Sequence, residues 1–340
     1  MQPSLVYHIC VTVSLMVLGM VGCTGEKTGL VPRPLIMVSE DRWYGNGICY
    51  GPHRDGQRPG GDTPTADQIR EDLNLMAQHW SLVRTYGSSE FAGVLLEEIR
   101  RSGLEIKVML GAWIAAEETR DEHGVVTDSL PEAAAANGRE CAAAIALSAA
   151  YPDIVQSICV GNETQVFWSP NPLPLELLVE KIRFIRAAVD HPVTTADDFY
   201  YWLDPESKTL AQEIDFVTVH AHPLWNGKLL EEAMPWLREQ LTGIAAMHPE
   251  RLIVIGETGW ATSVAEVGEE ARLIRARPNE ADQAVFFRAV TAWAAAERVP
   301  IFFFEAFDEN WKGGVNPAEV EKHWGLFRAD RTAKAAVLHE

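Results

Sequence analysis

The sequence predicts one barrel of parallel β-strands closed by alternating helices, and three observations lead there. From Trp43 onward, short apolar runs alternate with longer helical patterns, which is how βα units read. The runs number eight, the count that closes such a barrel. Two of them, Ile154–Gly161 and Arg251–Gly256, stop abruptly at a carboxylate, Glu163 behind Asn162 in the first and Glu257 in the second. Strands buried on both faces are near-continuously apolar, and a barrel opens its site at their C-terminal ends.

In chain order the runs are Gly45–Tyr50, Ser81–Tyr86, Ile106–Gly111, Val155–Val160, Pro192–Ala196, Asp215–His220, Leu252–Gly256 and Pro300–Phe304. Helices are expected at Asp67–His79, Glu90–Ser102, Pro131–Ala150, Leu175–Asp190, Leu229–Met247 and Glu280–Glu297, several opening with Pro or an acidic first turn. The fifth crossover, around Asp204–Gln212, is short. Two long polar connections, Glu117–Leu130 after the third run and Thr262–Asn279 after the seventh, leave from the end where barrel sites sit. No repeat or linker interrupts the pattern, so residues 41–335 are expected to form one domain.

Composition bounds the chemistry. A chain of 340 residues with 47% hydrophobic and 23% charged residues suffices for one large core. A formal net charge of -19 with no Lys/Arg cluster excludes nucleic acid as a partner. A neutral ligand is unopposed.

Ser4 to Gly22 is almost continuously apolar, about the length of a signal h-region or a short membrane span, with His8 where a basic n-region belongs. Met20-Val21-Gly22-Cys23 resembles a bacterial lipobox. Residues 1–23 are therefore expected to be a lipoprotein-type signal, Cys23 the lipidated residue and 24–40 a tether. An uncleaved anchor or a plain secretory signal is the alternative; in each case the domain lies outside the cytoplasmic membrane. Cys49, Cys141 and Cys159 have neither disulfide nor zinc spacing, and Cys49 and Cys159 are expected as small core residues.

The strand ends carry a recurring mixture of residue types. They present Tyr50, Tyr86, Trp113, Asn162, Glu163, Trp168, Asp197, Asp198, His220, His222, Trp225, Glu257, Trp260, Glu305, Asp308, Glu309, Trp311 and Lys312. Flat aromatic faces stack on pyranose C–H faces while carboxylates, amides and Lys bond hydroxyls, so the mixture describes a carbohydrate cleft. Glycoside cleavage needs one protonated and one ionised carboxyl, and Glu163 and Glu257 are the natural pair. His220-Ala221-His222 also admits a divalent ion, with Asp197 or Asp308 as further ligands. Without the additional His residues of barrel metal hydrolases, a substrate-contact or wall role is favoured, and neither metal nor cofactor is expected.

At this point the residues carry a resemblance. Tyr50-Gly51-Pro52 with Arg54-Asp55-Gly56-Gln57, Val83-Arg84-Thr85-Tyr86-Gly87, Val160-Gly161-Asn162-Glu163, Thr195-Ala196-Asp197, Gly256-Glu257-Thr258-Gly259-Trp260, Phe304 to Lys312 and Glu321-Lys322-His323-Trp324-Gly325-Leu326 resemble glycoside hydrolase family 17. The ordered match runs from Gly45 to Phe327. The resemblance implies a (β/α)8 barrel acting on β-1,3-glucan by retaining double displacement, with Glu163 as acid/base and Glu257 as nucleophile. It also implies Asn162 at the sugar 2-hydroxyl and Glu305, Lys312 and Trp324 along the negative subsites. Further substrate contacts are expected from Tyr50, Tyr86, Asp197, His220, Trp260, Asp308 and Trp311. Retention requires the carboxyls about 5–5.5 Å apart.

Whether water or a sugar accepts the glycosyl group is left open; the family contains hydrolases and glucanosyltransferases. Trp168, Trp202 and Trp225 are candidates for acceptor subsites, which favour transfer. A non-catalytic glucan-binding lipoprotein and a glycosidase of different specificity are the remaining alternatives.

Overall fold

The computed structural model describes residues 30–39, 42–121, 123–169 and 171–338. The eight expected runs are strands: β1 Asn46–Cys49, β2 Leu82–Arg84, β3 Lys107–Ala112, β4 Val155–Asn162, β5 Val193–Asp198, β6 Val217–His220, β7 Ile253–Thr258 and β8 Ile301–Phe303. They form a closed barrel in chain order, every neighbouring pair parallel and β8 returning to β1. The chain is thus a single (β/α)8 barrel.

Local chemistry starts the helices where expected. α1, Ala66–Met76, opens on a capping box between Thr65 and Gln68. α2, Ala92–Ser102, ends at Gly103 in the left-handed conformation. α3, Pro131–Ala150, begins with Pro, whose missing N–H costs nothing in a first turn. α4 spans Leu175–Ala188. The short fifth crossover consists of α5, Phe199–Trp202, and α6, Ser207–Ala211. α7 spans Leu230–Met247; α8, Glu270–Leu273, lies in the long connection after β7; α9, Glu280–Glu297, is capped by Asn279. After β8 the described residues contain a long loop and one 3-10 turn, Val320–Lys322, instead of a long helix.

Ile48, Val83, Val108, Met109, Ile158, Val193, Val219, Val254, Ile255 and Phe302 are fully buried. Each such side chain contributes roughly 1.5–3 kcal/mol relative to exposure. Cys49, Cys141 and Cys159 are buried free thiols, and burial pushes Cys49 up to about 12. The connection after β3 holds a small antiparallel hairpin, Glu118–Arg120 with Val126–Ser129.

The signal segment and Cys23 lie outside the described residues. The described part of the expected tether, 30–39, lies along the N-terminal mouth of the barrel. Arg33 donates its N–H to Asp215 at 2.7 Å and its guanidinium to the carbonyls of His191 and Arg186 at 3.0 and 2.9 Å. Val38–Ser39 pairs with Arg42–Trp43. The site is therefore at the opposite mouth from the entering chain.

Candidate active site

Irregularities in the ladder aim the site residues. The register between β6 and β7 shifts after Val219, so that His220 stands opposite Glu257; that between β4 and β5 shifts before Asn162. Such shifts bend a strand end and re-aim its side chains. They gather Glu163, His220 and Glu257, whose ligand atoms lie within 4.8 Å of one another.

Glu257 forms the buried floor. Its Oε1 accepts Arg84 Nη1 at 2.7 Å and the Tyr86 hydroxyl at 2.8 Å, and its Oε2 lies 3.4 Å from His222 Nε2. Burial pushes this carboxyl up, but the nearby charges of His220, Arg84 and His222 and the His222 contact outweigh it, so the group sits well below the usual carboxylate range. Burial pulls His222 down, and the Glu257 carboxylate more than reverses it, leaving the imidazole raised. Arg84 Nη2 also donates to Asn162 Oδ1 at 2.6 Å, which orients that amide.

Glu163 stands at the edge, with 30% of its side chain exposed, and its Oε1 lies 2.7 Å from His220 Nδ1. His220 Nε2 is 3.4 Å from Glu257 Oε1, so one imidazole spans both carboxyls. One carboxyl is sunk among cations and the other opens toward solvent. The buried one is thereby kept ionised.

A second charged group lies beside the floor. Lys312 Nζ donates to both Glu305 oxygens at 2.7 Å and lies 2.9 Å from Glu309 Oε2; Trp311 Nε1 donates to Glu309 Oε1 at 2.9 Å. Burial pushes Glu305 well above its usual range against the pull of Lys312, with the charge of Glu309 adding. Glu309 itself falls to about 2, since Lys312, His53 and Trp311 overcome its burial. Gly51 makes room for this carboxylate: a Cβ there would lie 2.4 Å from Glu309 Oε2.

Several expected contacts are placed elsewhere. Tyr50, Trp202, Trp260 and Trp324 are fully buried and offer a ligand no surface. The Tyr50 hydroxyl donates to Asp72 under β1, Trp202 Nε1 donates to the carbonyl of Thr218, and Trp260 packs on Phe286. Trp324 packs beneath His222 and Phe304, where it supports the cleft wall. Asp308 accepts Lys334 Nζ at 2.8 Å and the Gly325 N–H at 2.9 Å, which ties the last loop to the tail. Asp197 is fully buried and bonds only backbone N–H groups. Trp225 is half-buried and donates to Glu321 at 3.0 Å. Tyr86, Asn162, Glu163, His220, Glu257, Glu305, Trp311 and Lys312 are brought together.

Sequence reasoning passed over Arg84, His222 as a partner of Glu257, and the aromatic neighbours of Trp168. Arg84 had a signal, a charge inside the apolar run Leu82-Val83, because a buried charge requires a partner. Phe167, Trp168 and Tyr200 are 86%, 48% and 60% exposed and pack edge to face, with ring centroids 4.8 and 5.7 Å apart along the row. Phe167 and Trp168 stand on the loop after β4, and Tyr200 on α5 directly after β5.

Known proteins share this architecture. A glucan 1,3-beta-glucosidase of Arthroderma benhamiae is 29% identical over 82% of this chain and 86% of its own. An endo-laminarinase from Formosa is similar in structure at a TM-score of 0.75 with 25% identity, covering 87% of each chain. An active-site mutant of Rhizomucor miehei beta-1,3-glucanosyltransferase, solved with laminaritriose, shares the fold at a TM-score of 0.68 with 23% identity, covering 87% of this chain and 97% of that one. Residues 47–325 match the family model described as the BtgE/BtgC glycoside hydrolase domain. On that match, which spans the barrel from β1 to the loop after β8, the chain belongs to the BtgE/BtgC family of glycoside hydrolase domains.

Proposed function

We propose that this glycoside hydrolase cleaves β-1,3-glucan or β-1,3-gluco-oligosaccharides with retention, Glu257 acting as nucleophile and Glu163 as acid/base. The observation that carries the reading is the closeness of the two carboxyls: an oxygen of each lies within 4.8 Å of the other and of one His220 nitrogen. Retaining enzymes space their carboxyls about 5–5.5 Å apart, whereas inverting ones leave about 6.5–9.5 Å for a water.

The roles follow from the surroundings. Arg84 and Tyr86 occupy Glu257 Oε1, so Oε2, which meets only the longer 3.4 Å contact with His222, attacks the anomeric carbon. As that bond forms, the glycosidic C–O bond breaks and Glu163 gives its proton to the departing oxygen. Water or a sugar hydroxyl then loses a proton to Glu163, attacks the same carbon and releases Glu257. Asn162, held by Arg84, is placed for the 2-hydroxyl. The substrate class is supported by the relatives, a glucan 1,3-beta-glucosidase, an endo-laminarinase and a beta-1,3-glucanosyltransferase.

Transfer in place of hydrolysis is the second reading, favoured by the exposed Phe167–Trp168–Tyr200 row at the C-terminal ends of β4 and β5, which offers stacking faces to an acceptor sugar. A time course of residues 24–340 on defined β-1,3-gluco-oligosaccharides, with Glu257→Gln as control, tests both. Products longer than the substrate establish a transferase and only shorter ones a hydrolase; binding without either refutes catalysis on this glycan.

We also infer export, with the chain anchored through lipid on Cys23. The apolar segment Ser4–Gly22 before Met20-Val21-Gly22-Cys23 supports it. The chain also joins the barrel at the mouth opposite the cleft, which leaves the site open to polymer. Metabolic labelling with a fatty acid that is lost in Cys23→Ser is the expected outcome; equal labelling of that variant would refute it.

A further inference from the structure

Glu163 occupies an unusual backbone conformation. Its φ is +48°, in the left-handed region, within a turn that begins at Gly161 with φ +77°. A Glu gains nothing there from its own side chain, so the surroundings must hold the turn. The Glu163 N–H donates to the carbonyl of Ala196 at 2.9 Å. The next two N–H groups, of Thr164 and Gln165, both donate to Asp197 Oδ2 at 2.8 Å, while Asp197 Oδ1 accepts the Asp198 N–H at 2.9 Å. The peptide groups on either side of the acid are thus fastened to two consecutive residues of β5.

We propose that Asp197 is the positioning residue for proton transfer, its carboxylate fixing the turn after β4 so that Glu163 faces the scissile oxygen. This rests on the acid/base reading of Glu163. Three features of the site support it. The side chain is fully buried and bonds only to N–H groups of this turn and its own neighbour, so its bonding is spent on placement. A carboxylate suits these donors where an amide does not. With its oxygen on Thr164 and Gln165, an Asn would turn its NH2 toward the Asp198 N–H, donor against donor. Burial also pushes this carboxyl up to about 7 despite the N–H groups of Asp198, Gln165 and Thr164, with the charge of Glu163 adding. The turn thus holds a buried acid in place against its desolvation.

The test separates placement of the acid from general damage. Wild type, Asp197→Asn, Asp197→Ser and Glu163→Gln are assayed for kcat/KM on laminaritriose, whose leaving sugar needs a proton, and on 2,4-dinitrophenyl β-laminaribioside, whose leaving group departs without one. General acid catalysis contributes on the order of 10²–10⁴-fold, so Asp197→Asn is expected to lose about 100-fold on laminaritriose and less than about fivefold on the aryl substrate. Asp197→Ser, smaller and with a single acceptor, is expected to show the same split. It stands in if the Asn variant does not fold. Both substrates are measured on one preparation, so an inactive fraction cancels in the ratio. Equal losses on the two substrates, or no loss on either, overturn the proposal. If Glu163→Gln shows no split, the acid/base reading itself fails; if it does while both Asp197 variants do not, the positioning role alone fails.

Discussion

Arg84 and Glu257 meet at 2.7 Å across the barrel floor, from strands whose residues lie 173 positions apart in the chain. Both side chains are almost entirely buried. A buried guanidinium and a buried carboxylate each cost several kcal/mol to remove from water, and each is tolerated because the other is present. The pair therefore links fold to chemistry. The same contact closes β2 onto β7 and keeps the proposed nucleophile ionised.

Removing one partner exposes the dependence. Arg84→Met should destabilise the chain by about 3–5 kcal/mol, since it takes the guanidinium partner from a buried carboxyl. It should also lower kcat/KM at least about 100-fold, as Glu257 takes up a proton and Asn162 loses its anchor. Denaturant unfolding and steady-state kinetics read the two effects. A stable and fully active Arg84→Met would break the argument.

The carboxyl roles give opposite signatures. Glu257→Gln should abolish activity on every substrate, aryl glycosides included. Glu163→Gln should still react with substrates of good leaving group, and azide should then accelerate turnover by attacking the glycosyl-enzyme without a base. A β-configured glycosyl azide from Glu257→Gln in place of Glu163→Gln would reverse the assignment.

Stability should peak on the acid side of neutrality. Glu257 is held below its ordinary 4.5, so its contribution is present above that pH and lost as pH falls through its lowered value. His222 is raised above its ordinary 6.5, so its contribution is present below that pH and lost as pH rises through the raised value. Burial lifts Asp197 and Asp198 from 3.8 to about 7, so stability falls as pH rises across that interval, where the unfolded chain has lost these protons and the folded one keeps them. The melting temperature should therefore be higher near pH 5 than at pH 8. A maximum at pH 8 would contradict these shifts.

Lys312 serves two acids at once. Lys312→Met leaves Glu305 and Glu309 buried together without the ammonium they share, and should cost about 3–5 kcal/mol. Its loss should be partly offset at low pH, where the carboxyls protonate. A pH-independent loss would show that the ammonium acts through packing alone.

The exposed aromatic row should govern the fate of the glycosyl group. Trp168→Ala should lower the ratio of transfer to hydrolysis several-fold while changing formation of the glycosyl-enzyme little, because a stacked ring contributes about 1 kcal/mol to a bound acceptor. Product ratios at fixed oligosaccharide concentration read this directly. An unchanged ratio would remove Trp168 from acceptor binding.

The barrel was legible because buried parallel strands are apolar throughout and their ends are marked by polar residues. Glu163 and Glu257 stood out for that reason. What stayed hidden depends on the direction of side chains, which a strand-end position does not determine. Trp260 and Trp324 follow strand-end motifs yet turn inward to pack, and Asp308 turns toward Lys334. Asp197 lies at the end of β5, fully buried, with its oxygens turned toward the backbone N–H groups of Thr164, Gln165 and Asp198. The alternation of faces along β5 and the register shift beside Asn162 decide that, and neither is written in the local sequence.

The most direct measurement of the central claim is trapping of the covalent intermediate. The purified domain is incubated with a 2-deoxy-2-fluoro β-laminaribiosyl fluoride, in which the fluorine slows hydrolysis of the glycosyl-enzyme, and the labelled peptide is sequenced by mass spectrometry. The account predicts one glycosyl group per chain, on Glu257, with products of β configuration at early times. An adduct on another residue would displace Glu257 as the nucleophile, and an α-configured first product from natural substrate would contradict retention altogether.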